Sequence, residues 1–589
     1  MPVPATGGEM TMQPSAFAVE DFDATRWEEI EPRLHDLLRR VIEDSAQLEQ
    51  WLLDRSEIAS ACSEGEANLY INMTCDTDNA AAQQAYLDYI EHVSPKLKKA
   101  SFELDKRQAE LSARFGLEGG RHLVLARDTR AAVDLFCEQN VPIQTELEKL
   151  SQEYQQISAA MTVEYDGQAR TLPQMGKYQE ATDRSVREEA YRLVAARRMQ
   201  DSERLSGLFD QMVAKRDLLA RNAGLPSFVE YAFKGKLRFD YTPEHCRAFH
   251  EGCEQAVIPF CRQLDEQRRA KLGVRELFPW DLSVDPLGRP PLRPFEGGRE
   301  LVAKTQRVFD RLDAELGAML RTLGDGSNAQ GARNGECLDL DSRRGKAPGG
   351  YQYMRDKIRT PFIFMTAAGL HRDVETMVHE AGHAFHSLLC REEPLLHYRH
   401  APLEFCEVAS MSMELLTMPY WNEYYPDEAD AGRARRKQLE GSLGLLPWIA
   451  TIDAFQLWAY NRPTHTRTDR AEQWLELEHR FGHQGHTVSW DGLREFRIHV
   501  WQRQNHLFGS PFYYIEYGIA QIGALQLWLR SLDEGQQAAL DSYKQAMRLG
   551  GSRPLPELFE AAGLKFDFGP AVLGRLVERV QRELEKLPE

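Results

Sequence analysis

Long apolar runs are missing from this chain of 589 residues. None approaches the roughly 20 residues that a bilayer span requires, so a membrane partner is not expected. The first thirty residues hold no basic stretch followed by an apolar one, and Met1 to Met12 is mostly small and polar, so a secretory leader is not expected either. Cysteine is sparse and unpatterned: nine residues, an odd number, with no CxxC spacing. That distribution fits reduced thiols buried as small hydrophobes in a cytoplasmic protein rather than a disulfide framework. Strongly basic patches are lacking too. The net charge is −18, a field that repels phosphate backbones and argues against a nucleic-acid partner. The short basic run from Arg433 to Lys437 reads as a solvated helix face. No fixed-period repeat or low-complexity tract is present, which excludes a solenoid.

What remains is a globular protein of ordinary composition, 42% hydrophobic and 28% charged, too long for one compact core. Apolar residues recur at three- and four-residue spacing over Trp27 to Glu43, Ala80 to Phe115, Asp183 to Ala220 and Glu244 to Leu272, which predicts long amphipathic helices. Three stretches interrupt them. Met161 to Leu172 reads as a hairpin turning at Asp166-Gly167. Pro279 to Gly298 and Gly324 to Gly350 read as connections. Arg359 to Thr366, short, aromatic and bounded by Pro and Gly, reads as a strand. The fold class is therefore mostly α, with a small β element just upstream of the segment that carries chemistry.

That segment runs from Asp373 to Leu389 and reads as one helix. Residues four apart share a helix face, so His379 and His383 can direct two imidazole nitrogens at one metal ion. Glu380 lies beside the position of a metal-activated water, where a general base is needed. Catalytic zinc takes three protein ligands and leaves a fourth position open. Position 389 is Leu, not His, which excludes the metzincin pattern. His386 lies one turn past His383, where a third ligand from one straight helix strains tetrahedral geometry, so it reads as a supporting or packing residue. A second helix begins near Ala401-Pro402 and ends at Pro419. It carries Glu404, Glu407 and Glu414 on one face, and a carboxylate on a half-buried face is costly unless paired or ligating. Spacing alone does not choose among the three.

These blocks resemble the thimet-oligopeptidase and oligoendopeptidase F family of zinc metallopeptidases. The resemblance rests on His379 to His386, on Phe405 to Ser410 with Glu414, on Arg344 to Tyr351, and on His506 with Pro511 to Gln521. They keep the family's order over about residues 340 to 525, and the Pro511 to Tyr517 run is closer to the oligoendopeptidase F branch. The resemblance implies two helical lobes enclosing a deep substrate channel, with residues 1–185 forming part of one lobe and residues 186–589 the catalytic region. It implies one zinc per chain held by His379, His383 and Glu407, with Glu414 behind a ligand His. It assigns Tyr517, His506 and Tyr514 to the oxyanion.

Glu380 is then the base for hydrolysis of internal bonds in short unstructured peptides. Gly349, Gly350 and Tyr351, with the edge of the following strand at Thr360 to Met365, are expected to meet the peptide. The alternatives are an all-α zinc carboxypeptidase or dipeptidyl carboxypeptidase, and a catalytically idle peptide-binding zinc protein. Glu380 speaks against the last, since a purely structural site has no use for a base. Oligomeric state is left open by the sequence.

Overall fold

The computed structural model describes residues 17, 22–326, 337–347, 349–482 and 484–588. Met1 to Met12, part of the Gly324 to Gly350 connection, and Pro348 lie outside the described residues. Helix accounts for 69% of the chain and strand for 5%, the mostly α class expected. No described helix is long and apolar enough to cross a membrane, and none of the nine cysteines forms a disulfide among the described residues.

Three of the long helical runs are divided, each for a local reason. The Ala80 to Phe115 run is two helices, Ala80–His92 and Ser94–Phe115, because Pro95 lacks the N–H that a continuous helix needs. The Asp183 to Ala220 run breaks between Gln200 and Ser202. The Glu244 to Leu272 run carries one π turn, Cys253–Val257, just before Pro259. The loop after Pro279 is pinned where the fully buried Asp281 carboxylate accepts from Arg184 at 2.6 Å and Arg187 at 3.0 Å. The Arg433 to Lys437 run departs from a solvated face. Arg433 is tied to Asp285 at 3.0 Å, and Arg436 donates to the Leu584 carbonyl at 2.9 Å, a group that the end of the last helix leaves open.

The first hairpin pairs β1 (Thr162–Tyr165) with β2 (Gln168–Thr171). Asp166 and Gly167 both take positive φ, 54° and 69°, the geometry of a two-residue turn matched to strand twist. The second sheet has three strands, β3 (Leu338–Asp341), β4 (Gly350–Arg355) and β5 (Thr360–Ala367), in the order β3-β5-β4. This corrects one expectation. The Thr360 to Met365 strand is the central one, parallel to β3 and antiparallel to β4, so it has no edge to offer a peptide. The edges belong to β3 and β4, and β4 is the one beside Glu380. Pro361, which has no N–H, lies opposite Met354, so Gly350, Gln352 and Met354 turn their backbone groups outward.

Two apolar clusters hold the helical mass together. The larger contains the metal helix and most of the chain beyond Tyr154. The smaller is built on Ile30, Leu48, Trp51 and Ile58, and it also takes in Leu395 and Tyr398 from the segment joining the two site helices. The Tyr398 hydroxyl donates to the Arg121 carbonyl at 2.5 Å and accepts the Leu125 N–H at 3.3 Å. A cavity of about 670 Å³ lies where the N-terminal helices face the catalytic half.

The helices His371–Leu389, Leu403–Leu416 and Ile515–Asp533 pack as one group, with Leu403–Leu416 in the middle. Two glycines permit the approach. A Cβ at Gly382 would stand 2.6 Å from Ser410 Cα and 2.7 Å from the Ala409 carbonyl, and one at Gly523 would stand 2.8 Å from Val408 Cγ2. Gly382→Ala is therefore expected to cost about 1–3 kcal/mol by overpacking and to part the two metal-bearing helices. A lower urea midpoint together with less than one bound metal per chain would show it; an unchanged midpoint with full metal content would contradict it.

Candidate metal centre and active site

His379 and His383 occupy successive turns of one helix, their ring centroids 4.8 Å apart and nearly perpendicular. From the facing helix, Glu407 Oε2 lies 3.3 Å from His379 Nε2 and 3.7 Å from His383 Nε2. The ligand atoms of these three residues all fall within 4.8 Å of one another. Supporting contacts set the direction of each. Glu414 Oε1 accepts from His379 Nδ1 at 2.7 Å, and the other Glu414 oxygen accepts from Gln438 Nε2 at 2.8 Å. Ser410 Oγ donates to Glu407 Oε2 at 3.0 Å, and the His383 ring bonds the Cys406 backbone. With Nδ1 spent on Glu414, His379 presents Nε2 to the shared point, as a ligand histidine must. Two imidazoles and one carboxylate are the donor set of a catalytic zinc site, and too nitrogen-rich for calcium or magnesium.

The two imidazoles differ electrostatically. Burial opposes charge on His379, but its bonds to Glu407 and Glu414 outweigh burial and raise its pKa well above the usual value. Burial brings His383 down to about 4, helped by the neighbouring His379, since two touching rings do not both carry charge. Burial also opposes the Glu407 carboxylate, yet the bond from His379 and the electrostatic influence of the two rings hold it at about 2.

Of the three carboxylates on the second helix, the structure brings Glu407 and Glu414 to the histidines. It turns Glu404 elsewhere, where it accepts from the Tyr241 hydroxyl at 2.6 Å. His386 is buried against Phe405 with Nε2 unpartnered among the described residues, a packing residue away from the ligand set.

Glu380 is almost fully enclosed. Burial lifts its pKa to about 7, the β4 edge supplies a bond from the Gln352 N–H, and Oε2 has no partner among the described residues. Gly350 lies over the same carboxylate, its absent Cβ 3.9 Å from Glu380 Oε1. Gly349 is exposed and bonded to Thr366 Oγ1 at 3.2 Å. Tyr351 points the other way: its ring stacks on Phe364 at 4.7 Å and its hydroxyl meets Thr74 Oγ1 at 2.6 Å. Period-two alternation puts it on the sheet face opposite Glu380, so it does not cover the site.

The downstream block folds in beside these groups. Phe512 takes φ 61°, costly for a bulky residue, and is held there by Gln456 Oε1 on its N–H at 2.6 Å and by Arg238 on its carbonyl. The turn brings the His506 ring to Tyr513, Tyr514 and Tyr517, with centroids 5.3, 5.1 and 6.3 Å away.

The His506 tautomer follows from its partners. Trp448 Nε1 donates to Gln504 Oε1 at 3.0 Å, so the Gln504 amide nitrogen faces His506 Nδ1 at 2.7 Å. Nδ1 therefore accepts and Nε2 carries the proton. Burial and the Lys236 charge lower the His506 pKa and keep the ring neutral. Tyr514 shares bonds with Trp448 and Gln504 and belongs to this bracket. Tyr513, absent from the expected set although it stands in the same run, is hydrogen-bonded to Tyr517. Burial and then the Glu407 charge raise both hydroxyls, so they stay protonated.

The model of peptidase family M3 matches residues 177–576. The chain belongs to peptidase family M3. It is similar over its whole length to solved structures. Pz peptidase A with an inhibitor is 27% identical, with 97% of this chain and 99% of that one covered and a TM-score of 0.86. A putative oligoendopeptidase F has the same identity and coverages and a TM-score of 0.85. A putative oligoendopeptidase F from Bacillus anthracis str. Ames shares the fold at 24% identity, 97% and 98% coverage and a TM-score of 0.80. The chain matches no curated protein sequence. As an M3 peptidase it is a metallopeptidase, and M3 peptidases are generally zinc-dependent, in keeping with the donors described. Glu414→Ala is expected to weaken zinc binding by about 10–100-fold. Competition against a chromophoric chelator measures it, and unchanged affinity would remove Glu414 from the role given it here.

Proposed function

We propose that this M3 peptidase is a zinc-dependent endopeptidase acting on short unstructured peptides, with His379, His383 and Glu407 as ligands and Glu380 as general base. The observation that carries the reading is the placement of Glu380: a nearly enclosed carboxyl, raised to about 7 by burial, with one oxygen unpartnered among the described residues, beside the three candidate ligands. A structural metal site has no use for such a group.

His379, His383 and Glu407 would hold the zinc, which when bound would supply the Lewis acid for attack by a water on the scissile carbonyl. Glu380 takes the proton of that water and later delivers it to the leaving amine. Tyr517 donates from its protonated hydroxyl to the oxyanion that develops on the scissile carbonyl. His506 Nε2 adds a second donor, with Tyr513 and Tyr514 holding the pair in place. An extended peptide adds to the free edge of β4, where the outward groups of Gly350 and Met354 pair with it and the missing Gly350 side chain lets it pass close to Glu380. Residues 1–185 form part of the opposite wall, so an unfolded peptide enters and a folded protein does not.

Glu380→Gln is expected to retain zinc and lose about 10²–10⁴-fold in turnover; normal hydrolysis by the zinc-replete variant would end the assignment. Tyr517→Phe should lower kcat by about 10²–10³-fold with KM little moved. Mass mapping of products from a peptide ladder, run beside a folded protein, checks the internal cleavage and the size limit together.

A further inference from the structure

The 670 Å³ cavity between the N-terminal helices and the catalytic half is not the metal site, yet it adjoins it. Its lining includes Lys236, Glu404 and Glu516, and Lys236 Nζ lies 5.0 Å from the centroid of the Tyr513 ring. Much of the remaining wall is apolar, with Leu52, Val124, Leu395 and Leu555 below and Leu237 and Leu403 at an exposed rim.

The arginines of this wall are already matched. Arg55 holds Asp105 at 2.5 Å, Arg127 holds Asp128 at 3.0 Å, and Arg238 holds Glu516 at 2.5 Å. Lys236 is the exception. Its one ion-pair contact among the described residues is Glu516 at 3.5 Å, and that oxygen is the one Arg238 has taken. Burial also raises the Glu516 carboxyl, which weakens it further as a partner. An ammonium has three donors, and here they are largely unspent in a half-buried setting where an ionic contact is strong.

The backbone is bent to put this residue there. The helix Phe228–Gly235 ends at Lys236, and Leu237 takes φ 57° where a helix terminus normally uses glycine. A left-handed Leu is a cost that persists where surrounding structure enforces it. It holds Lys236 and Leu237 side by side on the cavity wall.

We propose that Lys236 receives a carboxylate of the bound peptide while the cavity takes an adjoining apolar side chain. This rests on the peptidase reading above and names the substrate class of that site: peptides carrying a negative charge a few residues from the cleaved bond. The charge comes from the C-terminus or from an acidic side chain, and one series of substrates separates the two.

Matched quenched peptides with a free C-terminus, with an amidated C-terminus, and with each Glu changed in turn to Gln are compared on the zinc-loaded enzyme, on Lys236→Met and on Lys236→Arg. In the wild type, loss of one particular carboxylate is expected to raise KM about tenfold with kcat little changed. Lys236→Met should show the raised KM for both members of that pair, and Lys236→Arg should restore the difference. Full discrimination retained by Lys236→Met, or wild-type indifference to every carboxylate, would overturn the proposal. If the wild type cleaves none of the peptides, the peptidase reading fails separately. Kd values for the same peptides on zinc-loaded Glu380→Gln, with and without Lys236→Met, then decide the Lys236 contact directly: a pairwise difference that Lys236→Met abolishes supports it, and one that survives overturns it.

Discussion

Two helix backbones touch where Gly382 crosses Ala409 and Ser410, and no side chain heavier than hydrogen fits between them. That crossing brings the Glu407 carboxylate within 3.3 and 3.7 Å of two imidazoles on the opposite helix. Packed interiors transmit displacements of a single methyl group, so the distance between helices sets the distance between ligands. A third helix uses Gly523 to make room for the Val408 side chain on the far side, and Tyr517 rides on it. The proposed ligands, the proposed base and Tyr517 thus share one rigid group of three helices, with β4 laid across it.

The electrostatics follow from what this group excludes. Burial opposes charge on every ionisable side chain within it, and it prevails over the nearby charges where none of them is hydrogen-bonded to the group: His383 falls and Glu380 rises. Where a partner is placed, burial loses. Glu407 stays ionised and His379 attracts a proton between its two carboxylates. One helix turn thereby holds groups of opposite behaviour, a carboxyl that can carry a proton and an imidazole that resists one.

The helical class, the hairpin, the metal motif and the two helices that bear it were all legible in the sequence, because each rests on short-range spacing. His379, Glu380 and His383 stand within a single turn and a half, and Glu407 and Glu414 within two more turns on the next helix. What did not show was everything decided by distant packing. Nothing local marks β5 as the centre of its sheet rather than the edge, since strand order is set by which segments meet. Tyr351 resembled a peptide-facing residue by position, but period-two alternation turned it toward the Ser45–Cys75 helix. Gln438 carries no motif and yet orients Glu414. The same is true of Trp448, whose indole proton fixes the tautomer of His506 through an intervening amide. Tyr513 lay within the recognised run and differs from its neighbours only in where the Phe512 turn sends it.

Tyr398 is fully buried in the smaller apolar cluster, its hydroxyl fastened to the Arg121 carbonyl, although its own segment is the bridge between the two ligand-bearing helices. A growing chain releases the N-terminal helices first, so the residues that seat Tyr398 emerge before the bridge does. With Tyr398 seated among them, the bridge leads directly into the Leu403–Leu416 helix that faces the histidines. The N-terminal region is in this way an internal brace for the segment that joins the two site helices, built from residues that stand some three hundred positions earlier in the chain.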